Sequence, residues 1–306
     1  MTALGLRGLN AAIPLPMHAD QTADFDSFAA LCQWLTTQNV DAVTVNADTA
    51  EGAHLTMTER TRMVEIAKQV LGPDVAVVSG LMGTSTTAAV ETAQTLKSAG
   101  ADALLVFPIP AFAGQPLPDA MVTTYYQRVR EVGLPLIAFS LTPDLGGALL
   151  RGPLVTRLAD DDVIVAIKDA SFDPLQFIET RDALRASTRD VVLLSGCDNF
   201  IYESFVLGAQ GILLGYASIA APLTRKVFDL VKFGKIDEAE EINREKMQPL
   251  AEAMFGKPLR NSRARIKAVL VEKGIIATDT VREPLLPLPP DDRELMLAAT
   301  RNAGIL

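Results

Sequence analysis

Cysteine is scarce in this chain. Cys32 and Cys197 are the only two in 306 residues, and they lie far apart in different contexts, so neither a disulfide framework nor a cysteine-type zinc site is indicated. Positive charge is nowhere concentrated: 28 basic residues stand against 37 acidic ones, for a formal net charge of −9. Without a basic stripe to track phosphates, nucleic acid and acidic membrane surfaces are poor partners. No apolar run approaches the ~18 residues of a membrane span, and MTALGLRGLNAAIPLPM lacks the apolar region of a signal peptide, so a cytoplasmic protein is expected. Histidine is equally rare. His18 and His54, with Glu51, are the material for a divalent-metal site, but no helical or strand spacing fixes them together, and no metal or cofactor is expected. Finally, no G-x-G-x-x-G follows any strand-like run, which weakens a dinucleotide-binding reading.

What is abundant is apolar residues, at 49%, enough for a large core. They are arranged in short runs that recur at regular intervals: LNAAIPL, AVTVN, VAVVSG, ALLVF, LIAFS, VIVAIKD, VVLLSG and GILLGY. Segments with helical apolar spacing separate them, among them FDSFAALCQWLTTQ, MTERTRMVEIAKQVLG and TAAVETAQTLKSAG. Strand alternating with helix implies parallel strands, because each crossover needs room for a helix. Eight such units predict an α/β protein with a closed (β/α)8 barrel over residues 1–222; an open doubly wound sheet is the alternative. From residue 223 to 306 only helical patterns appear, broken by the prolines of REPLLPLPPDD, so an all-helical C-terminal extension is expected.

The run VIVAIKDAS poses the functional question. Its apolar residues lead directly into Lys168, which in a barrel stands at the C-terminal end of the sixth strand, where chemistry is carried. One reading makes Lys168 a surface cap beside Asp169 or the acidic run Asp160, Asp161 and Asp162. The other makes it an amine whose pKa is lowered by an apolar mouth, free to attack a ketone and form a Schiff base.

Several stretches in register bear on that choice: AAIPLPM, ADTAEGAHLTMTER, SGLMGTSTTAAVETA, VIVAIKDAS, VVLLSGCDN, GAQGILLGYASIAA and the C-terminal KGIIATDTVREPLLPLPPDDRELMLAATRNAGIL. Through them the chain resembles the dihydrodipicolinate synthase/N-acetylneuraminate lyase family over nearly its whole length. The resemblance implies a (β/α)8 barrel with a helical C-terminal extension and assembly as a homo-oligomer, dimer or tetramer. It also implies a strand-6 lysine, here Lys168, that forms an imine with pyruvate or a related 2-oxo acid.

The departures from the family pattern are specific. Phe139 stands where the family carries a proton-relaying tyrosine in a Tyr-Asn-x-Pro segment, and a phenyl ring relays no proton. The arginine that follows in the synthase branch is missing, since SLTPDLGG offers only Asp144, and FPIPAFAG lacks the strand-4 tyrosine. In the loop after strand 2, Thr49 matches the family threonine that binds the 2-oxo acid carboxylate, and Asp48 replaces a threonine of the proton relay. Asp48 is therefore expected to carry protons, its pKa raised near Phe139; the plain alternative is a turn cap. Phe139, Ser140 and Gly196 are expected to line the pocket, and Tyr216, at the end of strand 8, either supplies a displaced hydroxyl or merely packs. Glu51 is expected to bond local backbone N–H groups, Cys197 to be a small buried thiol, and Thr84 or Ser85 to be an N-cap. Arg260, Arg263 and Arg265 are read as facing water rather than a neighbouring subunit.

Together these features predict a Schiff-base lyase for a small 2-oxo acid, performing pyruvate-type aldol cleavage or condensation rather than lysine-pathway synthesis. The alternatives are a 2-keto-3-deoxy sugar acid dehydratase of the same family and a non-catalytic descendant that binds a carboxylate or serves as a structural oligomer.

Overall fold

A computed structural model describes residues 4–306. Eight parallel strands, β1 (Leu9–Ala12), β2 (Ala42–Val45), β3 (Ala76–Leu81), β4 (Ala103–Val106), β5 (Leu136–Leu141), β6 (Ala166–Ala170), β7 (Val192–Ser195) and β8 (Gly211–Leu214), pair in chain order and close through β1 and β8. The barrel alternative is thus the correct one, and the open sheet is excluded. Strands such as β4, ALLV, are buried on both faces, which is why their sequences run apolar rather than alternating.

Helices α1 (Phe25–Leu35), α2 (Met57–Leu71), α3 (Thr86–Ser98), α4 (Asp119–Arg130), α5 (Gly152–Asp160), α6 (Pro174–Ala186), α7 (Ile201–Val206) and α8 (Ala217–Lys232) follow the strands in turn. Their starts are written locally. Thr56 and Glu59 form a reciprocal capping box at α2, and Ser85 accepts from the Ala88 N–H at α3, so GTSTTAAV is a capped helix start. Helix α8 runs across position 222, with Ala220 out of helical geometry just before Pro222. After α8 come α9 (Ile236–Ile242), α10 (Gln248–Phe255), α11 (Ser262–Glu272) and α12 (Pro290–Asn302), the helices of the C-terminal extension.

Apolar side chains fill two spaces. The larger core lies between strands and helices; the smaller lies inside the barrel, where Val78, Leu105, Ile137, Val192, Leu194 and Leu213 are packed out of solvent. The interior is thus a plug, and any opening must lie at its ends. The extension folds back over one of those ends: Thr278 donates to the Met17 carbonyl at 2.8 Å, and Arg282 bonds the Gln21 and His54 carbonyls and both oxygens of Glu59. Among the described residues no helix is long and apolar enough to cross a membrane.

Candidate active site

At the C-terminal ends of the strands a cavity of about 380 Å³ opens, lined by barrel residues and by Phe255, Leu259, Arg260 and Arg263 of the extension. Strand register puts Phe139 of β5 directly beside Lys168 of β6, and Leu194 of β7 on its other side. The Lys168 Nζ lies 4.3 Å from the centre of the Phe139 ring, which meets Phe107 edge-on at 4.9 Å. Phe139 thus supplies an apolar wall and a π-face, but no hydroxyl. Burial pushes the Lys168 ammonium below its ordinary pKa; the opposing pull of Asp198, then of Asp48 and Cys197, is weaker. Lys168 thus lines a cavity and is no surface cap.

Gly196 makes room for that side chain. A Cβ at this position would lie 2.6 Å from the Lys168 Cε and 2.9 Å from the Ala170 Cβ and the Asp169 carbonyl oxygen. Gly196→Ala is expected to displace the amine and lower the rate of imine formation with pyruvate by roughly 100-fold, the usual penalty for misplacing a reacting atom by about 1 Å. Borohydride trapping kinetics read this directly, and a rate within twofold of the native protein would refute it.

Asp198, two residues further on, carries a carboxyl group that sequence reading passed over. It lines the cavity, and its Oδ1 is buried without a hydrogen-bond partner. Burial raises its pKa to about 7, with Lys168 pulling it down and Asp48 pushing it up. The available signal was positional: VVLLSGCDN places an acid just beyond the end of β7, the strand that pairs with β6 at Lys168.

The strand-2 loop forms the opposite wall. Thr49 and Asp48 both line the cavity, in a 3-10 turn spanning Asp48–Ala50. The Asp48 side chain is 64% exposed and ion-paired with Arg263, which also donates from Nε to the Asp48 carbonyl at 3.0 Å. Its carboxylate is therefore engaged by a cation and largely open to solvent.

Glu51 differs from its expectation. It bonds no local N–H; its carboxylate takes the Lys267 ammonium at 2.6 Å and the Arg282 N–H at 2.8 Å, both from the extension. Tyr216 and Ser140 also fall outside the cavity. Tyr216 is fully buried and donates to the Met247 carbonyl at 3.2 Å, so the displaced-hydroxyl option fails and the packing one holds. Ser140, next to inward-facing Phe139, points to the other side of β5 because strand side chains alternate, and its Oγ accepts from the Leu150 N–H at 3.0 Å. Cys197 is buried, donates to the Asp169 carbonyl at 3.3 Å, and has its thiol pKa pushed up by burial, as an inert thiol should. Arg265 is buried against Asp292 and the Met254 carbonyl, and Arg263 pairs with Asp48 at the cavity, so of the three arginines only Arg260, which is exposed at the cavity mouth, faces solvent as expected. Among the described residues no group of three or more His, Cys, Asp or Glu side chains could hold a metal ion.

A model of the dihydrodipicolinate synthetase family matches residues 5–302. The chain belongs to this family. It is 27% identical to a 4-hydroxy-tetrahydrodipicolinate synthase of Herminiimonas arsenicoxydans, covering 98% of this chain and 99% of that one. The fold matches that of a dihydrodipicolinate synthase of Thermotoga maritima, with a TM-score of 0.90 at 22% identity over 98% of this chain and 99% of that one. It also matches an N-acetylneuraminate lyase of Fusobacterium nucleatum, with a TM-score of 0.84 at 22% identity over 99% of each chain. Membership makes this protein a lyase of the Schiff-base aldolase type, in agreement with the cavity lysine.

Proposed function

We propose that the protein cleaves or forms the bond between C3 and C4 of a 2-oxo acid, with pyruvate as the three-carbon half, through an imine on Lys168. The observation that carries the reading is a lysine amine facing a cavity whose apolar walls favour its neutral, nucleophilic form. The amine adds to the carbonyl carbon and water leaves. The resulting protonated imine accepts the electron pair released when the bond between C3 and C4 of a 4-hydroxy-2-oxo acid breaks, while the C4 hydroxyl gives its proton to water, leaving an enamine on Lys168 and an aldehyde. Thr49 anchors the substrate carboxylate through its hydroxyl and backbone N–H, and Arg260 and Arg263 give the mouth of an otherwise acidic protein a local positive charge.

Lysine-pathway synthesis is the less favoured chemistry, because no tyrosine lines the cavity among the described residues and Phe107, Phe139 and Phe172 do. Those rings suit a bulky or aromatic aldehyde half. Assembly into a homo-oligomer belongs to the same reading, and sedimentation equilibrium tests it. The catalytic proposal is tested by borohydride reduction with pyruvate followed by peptide mass spectrometry. The expected result is an adduct on the peptide containing Lys168; no adduct with pyruvate or with larger 2-oxo acids would overturn it.

A further inference from the structure

A Schiff-base lyase has to move protons as well as form an imine. The enamine left by bond cleavage needs a proton at C3, and the reverse reaction needs one removed there. The titratable side chains lining the cavity, among the described residues, are Asp48, Lys168, Asp198, Arg260 and Arg263. Lys168 is consumed as the imine. The two guanidinium groups are hydrogen-bond donors with no acceptor nitrogen to offer a proton on carbon. Asp48 is largely exposed and held by Arg263 through both its side chain and its carbonyl. The nearby hydroxyls of Tyr126 and Tyr216 are buried on backbone partners away from the cavity, and the Cys197 thiol is turned to the Asp169 carbonyl. What remains is Asp198, on the loop adjoining Gly196, with one carboxyl oxygen buried and unpartnered.

We infer that Asp198 is the catalytic acid/base of this site, taking and returning the C3 proton of the Lys168 imine in place of a tyrosine hydroxyl. The inference rests on the imine reading above and deepens it. The step balances: the carboxylate removes H⁺ from C3 while the C3–H electron pair forms the C2=C3 bond and the imine π-pair moves to nitrogen. The neutral carboxylic acid then delivers the same proton to C3 as the enamine reverts. A carboxyl group titrating at about 7 serves both directions near neutrality. The charged groups facing it are Lys168 from β6 and Asp48 from the strand-2 loop; the latter's pairing with Arg263 tempers its repulsion.

The test needs no knowledge of the aldehyde half. Exchange of the pyruvate methyl hydrogens for deuterium, followed by NMR, reports C3 proton transfer, and borohydride trapping with pyruvate reports the imine separately. The native protein is expected to exchange with a rate that falls as pH drops below about 7, as the carboxylate is protonated. Asp198→Asn is expected to trap the adduct still, with the trapping profile moved to lower pH because the ammonium loses an anionic neighbour. Its exchange rate should fall by at least ~100-fold and the limb near 7 should vanish. Asp48→Asn should keep the limb. If Asp198→Asn exchanges within fivefold of native with its limb intact, or is folded but traps no adduct, the assignment is overturned. It is equally overturned if the limb disappears in Asp48→Asn instead. Absence of an adduct in the native protein sinks the imine reading itself, which is a distinct outcome.

Discussion

Lys168→Ala is expected to abolish the borohydride-trapped pyruvate adduct and to lower pyruvate methyl exchange by roughly 10⁴-fold or more, to the level of buffer. The size follows from what else the cavity contains. Lys168 is its only primary amine among the described residues, and the guanidinium groups of Arg260 and Arg263 are donors rather than nucleophiles toward a ketone. Lys168→Arg is expected to be as inactive as the alanine variant although it keeps a positive charge, which separates a nucleophile from a purely electrostatic group. Neither thermal stability nor the circular dichroism spectrum should suffer in Lys168→Ala, because the amine occupies a site that already disfavours its charged form. In the native protein, trapping should rise with pH through a midpoint below the ordinary lysine range, since only the unprotonated amine attacks. Persistence of the adduct in Lys168→Ala on another lysine would remove the ground for the proposed chemistry.

The barrel was legible because each of its units is signalled locally. Eight short apolar runs, helices closed by glycine, and caps such as Thr56 with Glu59 each depend on neighbours within a few residues. Lys168 was legible for the same reason: an ammonium closing the apolar run 163–167 is a local contradiction. Long-range pairs were not legible. Glu51 and Arg282 are 231 residues apart, and nothing near either one announces the other. The pairing of Asp48 with Arg263, 215 residues away, was hidden in the same way, because nothing near either residue announces the other. Tyr216 and Ser140 show a second limit. Both were assigned to the pocket by nearness to strand ends, whereas alternation along β5 and the approach of the π-type turn Asn243–Met247 turn them away. Asp198 was hidden by rank rather than distance, as one acid among the 37 acidic residues, with nothing but its place after β7 to mark it.

The contact between Glu51 and Lys267 carries the largest stability effect. Both side chains are fully buried, and the ammonium also donates to the Thr280 carbonyl at 2.8 Å. Burial drives the Lys267 pKa down, and Glu51 opposes that shift. Removing one partner strands the other charge in the protein interior, so Lys267→Met is expected to cost about 3–5 kcal/mol in denaturant unfolding. The double variant Lys267→Met/Glu51→Gln should regain much of this loss, because no buried charge is left and the amide oxygen can still accept from the Arg282 N–H. Glu51 stands at positive φ two residues after Thr49, so the same pair holds the turn that carries the proposed carboxylate anchor. Lys267→Met should therefore also raise KM for pyruvate while leaving the site of the trapped adduct at Lys168 unchanged, and the double variant should lower KM again. If the single variant is destabilised by less than about 1 kcal/mol, water or a relaxed side chain is already satisfying Glu51. The extension would then not be what fixes the strand-2 loop over the barrel mouth.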